Sequence, residues 1–269
     1  MRNFLIRLAV AVVGIPALLW IFYQGAMWLN VLVVILTLAA CFEIWQAAQL
    51  RGIPVALWLL VLLALSVPVI VWPRGGDWWI IWAAAACIGS ASWVVWRRDP
   101  VSGALAALAH IAGAVWIGVG FGALIALRSL PTDDGFRWLM FLFANLWIGD
   151  TVAYLAGSRI GGPKLSPQIS PRKTIAGAIA QLLASIMIAV VYILAGWISA
   201  PAPLLLAAGF AIGVVGQIGD LFESVFKRAF SMKDFSSLIP GHGGVLDRFD
   251  STLFAAPTLW ILIRLWHWS

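Results

Sequence analysis

Nine runs of apolar residues, each near the length that crosses a lipid bilayer, follow one another along this chain: 4–22, 27–46, 53–72, 78–96, 104–127, 138–157, 174–198, 203–222 and 251–266. A helix needs ~20 such residues to span the hydrocarbon core. Lipid offers no partners to backbone N–H and C=O groups, so a chain of this pattern must satisfy them within helices. The expected fold is therefore all-α, a polytopic transmembrane helical bundle of about nine spans, and the short alternating strands of a β-barrel are excluded. Composition agrees, because 63% of the 269 residues are hydrophobic and 17 are Trp, a content that a water-soluble domain of this size does not carry. Asp250, Ser251 and Thr252 open the last run, so an eight-span variant stays open, with Arg264 and His267 on the inner side.

The first run follows Arg2 and Arg7 and has no small-residue cleavage site, so it reads as a retained helix rather than a signal peptide. With the N-terminus inside, thirteen of the 17 Lys and Arg fall in cytoplasmic loops or flanks, among them Arg51, Arg97, Arg98, Arg159 and Arg172. Arg74, Arg128, Arg137 and Arg264 remain outside. This positive-inside bias orients the bundle. Trp20, Trp28, Trp72, Trp78, Trp79 and Trp96 lie near span ends, where an indole suits the headgroup level. The net charge of +6 points to anionic lipid or phosphate, since no extramembrane basic domain is present to take nucleic acid. Residues 1–130 read as a generic scaffold of helices and 131–269 as the region that carries chemistry. Glu43 and His110 are polar groups inside apolar runs and must turn inward. Cys41 and Cys87 both lie in apolar runs and read as small packing residues.

Two connections are long and polar, 158–173 and 226–250, and on this topology both face the cytoplasm. The four lysines of the chain, Lys164, Lys173, Lys227 and Lys233, fall in or beside them among Ser, Thr, Gly and Pro. Cations together with accessible backbone N–H groups are what phosphate oxygens require. Asp150 sits inside an apolar helix with Tyr154 and Gly157 following at helical spacing, so it needs a partner or a wet cavity. Ser170, Lys173 and Thr174 lead into the next helix at its N-terminus, which favours an anion; a simple helix cap by Ser170 or Pro171 is the competing reading. Asp220, Glu223, Ser224 and Lys227 share one helical face, and Asp247 and Asp250 stand i, i+3 at the start of the last run. Two carboxylate-bearing helix ends beside a Gly-rich loop suit Mg²⁺, which takes a few oxygen ligands plus substrate phosphates. A salt-bridge lattice with Lys227, Arg228 and Arg248 is the alternative. His242, between Gly241 and Gly243, is too isolated for a histidine metal site and suits phosphate orientation. Phosphoryl or nucleotidyl transfer at the inner membrane face is the chemistry these groups favour.

The pattern Ser224, Lys227, Arg228, Lys233, Asp234, Ser236, Pro240, His242, Gly243, Gly244, Asp247, Arg248, Asp250 resembles the signature of the phosphatidate cytidylyltransferases, also called CDP-diacylglycerol synthases. Asp150, Ala153, Tyr154, Gly157, Lys164, Ser170, Pro171, Lys173 and Thr174 are similar to a second conserved region of that family. The resemblance is specific from 149 to 251 and departs at Ile175-Ala176-Gly177, where the family usually shows Trp-Glu-Gly. It implies that CTP and phosphatidic acid give CDP-diacylglycerol and pyrophosphate with Mg²⁺, with or without a monovalent cation beside it. For that reaction the expectation is that Asp220 and Asp247 hold the metal and that Lys173, Lys227 and Arg228 grip phosphates. Arg248 takes the lipid headgroup or pairs with Asp250. The implied substrate-binding residues are Asp150, Tyr154, Lys164, Ser170, Lys173, Thr174, Ser224, Lys233, His242, Gly243 and Gly244. The departure leaves room for a noncatalytic membrane paralogue. An ion-coupled transporter is weakened because the charges crowd one face, and a CDP-alcohol phosphotransferase because its D-G-x-x-A-R pattern is absent. A GxxxG pair, Gly209 and Gly213, permits close helix packing within one chain or in a homodimer. The orientation predicts that a cysteine placed at Ser236 reacts with an impermeant thiol reagent only from the cytoplasmic side; labelling from the outside would reverse the topology.

Overall fold

The computed structural model describes residues 2–95, 99–130 and 134–268, with side chains from residue 9 except those of residues 26, 267 and 268. Trp96, Arg97 and Arg98, and the side chains of Arg2, Arg7 and His267, lie outside the described residues. Helices α1 (Arg2–Gln24), α2 (Ala26–Leu50), α3 (Leu57–Ser66), α4 (Trp72–Arg74), α5 (Trp78–Val94), α6 (Pro100–Arg128) and α7 (Asp134–Ile160) come first. A hairpin of β1 (Lys164–Ser166) and β2 (Ser170–Thr174) follows, then α8 (Ile175–Ala195), α9 (Ala202–Ala229) and α10 (Leu246–Trp268). The fold is an all-α membrane bundle. Among the described residues six helical stretches are long and apolar enough to span a bilayer: Met27–Leu50, Leu57–Arg74, Pro100–Arg128, Asp134–Ile160, Ile175–Ala195 and Ala202–Ala229. Ala9–Gln24 and Trp78–Val94 are shorter apolar helices.

The chain divides into two compact units, Met1–Ala126 with Phe230–Phe249, and Leu127–Ala229 with Asp250–Ser269.

In the first unit, the polar side chains inside apolar helices serve backbone groups that have lost their partners. Pro68 interrupts the helix that starts at Leu57, and residues Val67–Val71 form a π turn. Trp82 Nε1 donates to the Leu63 carbonyl at 3.1 Å and to Ser66 Oγ at 2.9 Å just before that turn. His110 is fully buried, and its Nε2 accepts the backbone N–H of Ala56, at the start of α3, at 2.8 Å. The turned-inward His110 thus satisfies one of the amides that a helix start leaves unpaired. Trp20 and Trp28 pair edge to face at 5.1 Å across the short α1–α2 turn, and Trp72 and Trp79 do so at 5.8 Å. Cys41 and Cys87 are free thiols, the first buried and the second exposed.

In the second unit, small residues bring helix backbones together. A Cβ at Gly209 would lie 2.8 Å from the Ser185 carbonyl, and one at Gly213 would lie 3.0 Å from the Ser185 side chain. The GxxxG pair therefore packs α9 on α8 within the chain, where dispersion contacts replace the absent hydrophobic drive. Gly157 and Gly177 do the same for α7 and α8, since a Cβ at 177 would lie 2.8 Å from the Ala153 carbonyl. Phe141, Tyr192 and Trp197 stack edge to face at 5.0 Å spacings at the far end of this crossing.

His110→Leu fills the same space but leaves the Ala56 amide buried without an acceptor. It should lower unfolding free energy in detergent by about 1–3 kcal/mol; an unchanged melting temperature would show that this hydrogen bond carries no stability.

Candidate functional site

The second unit holds a cavity of about 730 Å³ between α7, the β-hairpin, α8 and α9. Hairpin and helix start are built together. Lys164 pairs with Thr174 across the two strands, the Ile175 amide donates to the Pro163 carbonyl at 3.0 Å, and Thr174 caps α8 by accepting the Gly177 amide at 3.1 Å. The cap is thus Thr174, where the sequence offered Ser170 or Pro171. Residues 158–173, expected as a loop, contain most of this hairpin, whose strands pair antiparallel.

Cations line one wall of the cavity: Lys164, Arg172 and Lys173 from the hairpin. Asp150 lines the cavity from α7, its Oδ1 accepting Gln181 Nε2 at 3.0 Å, with Tyr154 one turn on and 74% exposed. A bundle amide is thus one partner of Asp150. Gln217 Nε2 donates to the Ala178 and Gly213 carbonyls at 3.0 and 2.8 Å, which holds its amide against the cavity floor. Asp220 closes the row and forms an ion pair with Lys173.

Asp220 also begins an acidic cluster. One carboxylate oxygen each from Asp220, Glu223 and Asp250 lies within 4.8 Å of the others, the group of this kind found among the described residues. The approach depends on Gly219, where a Cβ would stand 2.8 Å from the Asp250 carbonyl and 3.0 Å from the Phe254 ring, so α9 meets α10 backbone to backbone. Glu223 is fully buried and pairs with Lys227 Nζ at 2.5 Å. Arg228 Nε donates to the Ile169 carbonyl at 3.2 Å, tying the last turn of α9 to the hairpin. Ser224 is buried on the same face of α9 as Glu223. Hard carboxylate oxygens at this spacing, with lysine ammonium groups already compensating two of them, make a donor set that fits a divalent cation such as Mg²⁺.

The Gly-rich loop lies in the other unit. Ile239, Pro240, Gly241 and His242 form a tight turn, with His242 N donating to Ile239 O at 2.9 Å and Gly241 at φ 75°; proline then glycine with positive φ is the type II pattern. Asp247 Oδ2 accepts the Phe235 and Gly244 amides, each at 2.8 Å. Glu43 accepts from Ser236, Val245 and Leu246. Lys233 and Arg248 are exposed, and His242 Nδ1 stands 3.4 Å from the Pro240 carbonyl.

The structure therefore gathers Asp150, Tyr154, Lys164, Lys173, Thr174 and Asp220 around one cavity, with Ser170 on the same hairpin. Ser224, Lys227, Arg228 and Asp250 stand on the adjoining helix ends. Lys233, His242, Gly243, Gly244, Asp247 and Arg248 belong to the unit of α1 to α6, and there the Asp247 carboxylate holds the loop. Comparison with known proteins shows what the sequence resembles. A model of the cytidylyltransferase family matches residues 5–266. A phosphatidate cytidylyltransferase of Staphylococcus epidermidis is 33% identical over 264 residues, covering 96% of this chain and 98% of the relative. That of Staphylococcus haemolyticus is 42% identical over 148 residues, 55% of each chain, and that of Bacillus subtilis 38% over 152 residues, 56% of each.

The chain belongs to the cytidylyltransferase family. In this member of it, sequence reasoning overlooked Gln181, Gln217 and Arg172 as cavity residues. The signal for the two glutamines was present, since each is an amide inside an otherwise apolar helix and so needs partners there. Arg172 was read only as a topological charge.

Gly219→Ala should force α9 from α10, because the obstacle is backbone and cannot rotate away. Overpacking of this kind costs about 1–3 kcal/mol, whereas Gly14→Ala, inside α1 with nothing within 4 Å of the added carbon, should not destabilise and should gain up to about 1 kcal/mol of helix propensity. Equal melting temperatures for the two variants would remove the close approach as a constraint.

Proposed function

We propose that this chain condenses CTP with phosphatidic acid, giving CDP-diacylglycerol and pyrophosphate at the cytoplasmic face of a bacterial inner membrane. The carrying observation is the ion pair of Lys173 with Asp220, which joins a cation-lined cavity to a carboxylate cluster at the ends of apolar helices. The full-length match to phosphatidate cytidylyltransferases supports the substrates. The thirteen-to-four distribution of Lys and Arg supports the cytoplasmic face and an inner N-terminus.

In the proposed reaction an anionic phosphate oxygen of the lipid attacks the α-phosphorus of CTP, and the bond from that phosphorus to the β-phosphate bridge oxygen breaks. Pyrophosphate leaves with the electron pair. No side-chain nucleophile is required, so the protein's work is placement and charge neutralisation. Lys164, Arg172 and Lys173 offer donors to phosphate oxygens, with Arg172 able to engage two at once. Lys173 and Lys227 balance the charge of Asp220 and Glu223 in the structure, and each is a single ammonium for which a phosphate can compete. Arg228 ties the hairpin to the last turn of α9, and the Asp150–Gln181 pair fixes a polar group in the same cavity as the cations. We assign Mg²⁺ to Asp220, Glu223 and Asp250; when bound it supplies positive charge to the departing pyrophosphate. Asp247 enters this reading through the loop that its carboxylate holds.

Purified protein in detergent with labelled CTP, phosphatidic acid and Mg²⁺ should form CDP-diacylglycerol. Asp220→Asn and Asp250→Asn should each lower turnover by roughly 100-fold, the scale of losing one preorganised electrostatic contact. Folded wild-type protein that makes no product would sink the activity, and two Asn variants near the wild-type rate would sink the metal assignment alone.

A further inference from the structure

Glu43 is the one charged residue in α2, is wholly buried, and has no part in the chemistry proposed above. Three donors converge on it: Ser236 Oγ at 2.7 Å and the Val245 amide at 2.8 Å on Oε1, and the Leu246 amide at 2.9 Å on Oε2. Leu246 is the first residue of α10, and the Val245 carbonyl already accepts from Arg248 and Phe249 at 3.1 Å each. Val245 is therefore the cap residue, and valine has no side-chain acceptor for the first amides of the helix. Glu43 supplies that acceptor from a different helix, with the charge that the positive end of the helix dipole favours.

The Gly-Gly pair before this turn is explained by the same grip. A Cβ at Gly244 would run into the Glu43 carboxylate, and a Cβ at Gly243, whose φ is 87°, would stand 2.9 Å from Asp247 Oδ2. The two glycines give two carboxylates room to reach the backbone. Asp250 follows Leu246 by four residues, one helical turn, and is a member of the acidic cluster.

We propose that Glu43 is a positioning residue for the transfer site: by holding Ser236, Val245 and Leu246 it fixes where α10 begins, and with it the Asp250 carboxylate one turn on. This rests on the functional reading above for its kinetic consequence, and on the hydrogen bonds alone for its structural one. A buried carboxylate brought across to the Val245 and Leu246 amides, which a side chain at the cap position itself does not reach, is costly to maintain without such a consequence.

The test combines hydrogen exchange by mass spectrometry with kinetics on the full-length protein in detergent. In Glu43→Ala the amides of 235–246 should exchange at least about ten-fold faster, as expected when buried donors lose their acceptor. The same variant should lose about ten-fold in kcat and need more Mg²⁺ for half-maximal rate, with KM for CTP changed far less. Glu43→Gln keeps one acceptor oxygen and should recover part of both effects. Should Glu43→Ala not fold, Ser236→Ala removes one of the three donors and should show the same changes at smaller amplitude. Unchanged exchange over 235–246 overturns the clamp. Faster exchange with wild-type kcat and Mg²⁺ requirement overturns the link to Asp250. A wild-type protein that forms no CDP-diacylglycerol overturns the functional reading instead, and the exchange rates still decide whether Glu43 holds α10.

Discussion

A carboxylate in a chain this apolar is stable only where donors or cations meet it, and that requirement sorts the acids of this protein into distinct jobs. Glu43 and Asp247 are met by backbone amides, and the result is a fixed loop and a fixed helix start. Asp150 is met by an amide side chain, which leaves it at a cavity wall. Asp220 and Glu223 are met by lysine ammonium groups, partners that can be exchanged for others. An acid held by backbone donors is locked in one geometry. An acid held by a flexible lysine has a partner that a phosphate or a cation can replace, which suits Asp220 and Glu223, rather than Glu43, to the proposed chemistry.

Glycine does the complementary work. Because nothing in lipid pushes helices together, close approach must come from removing side chains: at Gly177, Gly209, Gly213 and Gly219 a Cβ would meet a neighbouring helix within 3.0 Å, and at Gly157 it would meet the Thr174 cap at 2.9 Å. The crossings they permit carry the acids and cations with them. Gly219 is the sharpest instance: the residue before Asp220 lets α9 touch α10 at the carbonyl of Asp250, so one small residue brings two of the three clustered acids into range.

Most of the architecture was legible because hydropathy records the membrane directly: every expected apolar run corresponds to a helical segment, with α9 continuing to Ala229 so that Lys227 and Arg228 ride on its last turn. The site was legible as an inventory but less so as a geometry. Asp220, Lys173 and Asp150 could be recognised as polar groups in the wrong solvent, and their meeting at one cavity follows from α7, α8 and α9 packing on their glycines. Which acids cluster could not be read from spacing. Asp247 and Asp250 stand i, i+3 and look equivalent in sequence, yet Asp247 turns to the amides of its own loop while Asp250 joins Asp220 and Glu223. The difference lies in contacts between residues far apart in the chain, as does Glu43, whose three donors are some two hundred positions away.

The departure at Ile175-Ala176 is informative in the same terms. The start of α8 needs a cap and a close crossing, and both are intact: Thr174 Oγ1 accepts the Gly177 amide, and Gly177 still clears the Ala153 carbonyl. Ile175 also keeps its backbone bond to Pro163, which does not depend on its side chain, and that side chain is 42% exposed. The replaced positions are thus ones whose side chains the local structure does not use, while Lys173, Thr174 and Gly177 around them retain the ion pair, the cap and the crossing. Thr174 and Gly177 are held by the packing of α8 alone, whereas Lys173 is a charge beside an apolar bundle, retained with the Asp220 partner that offsets its cost.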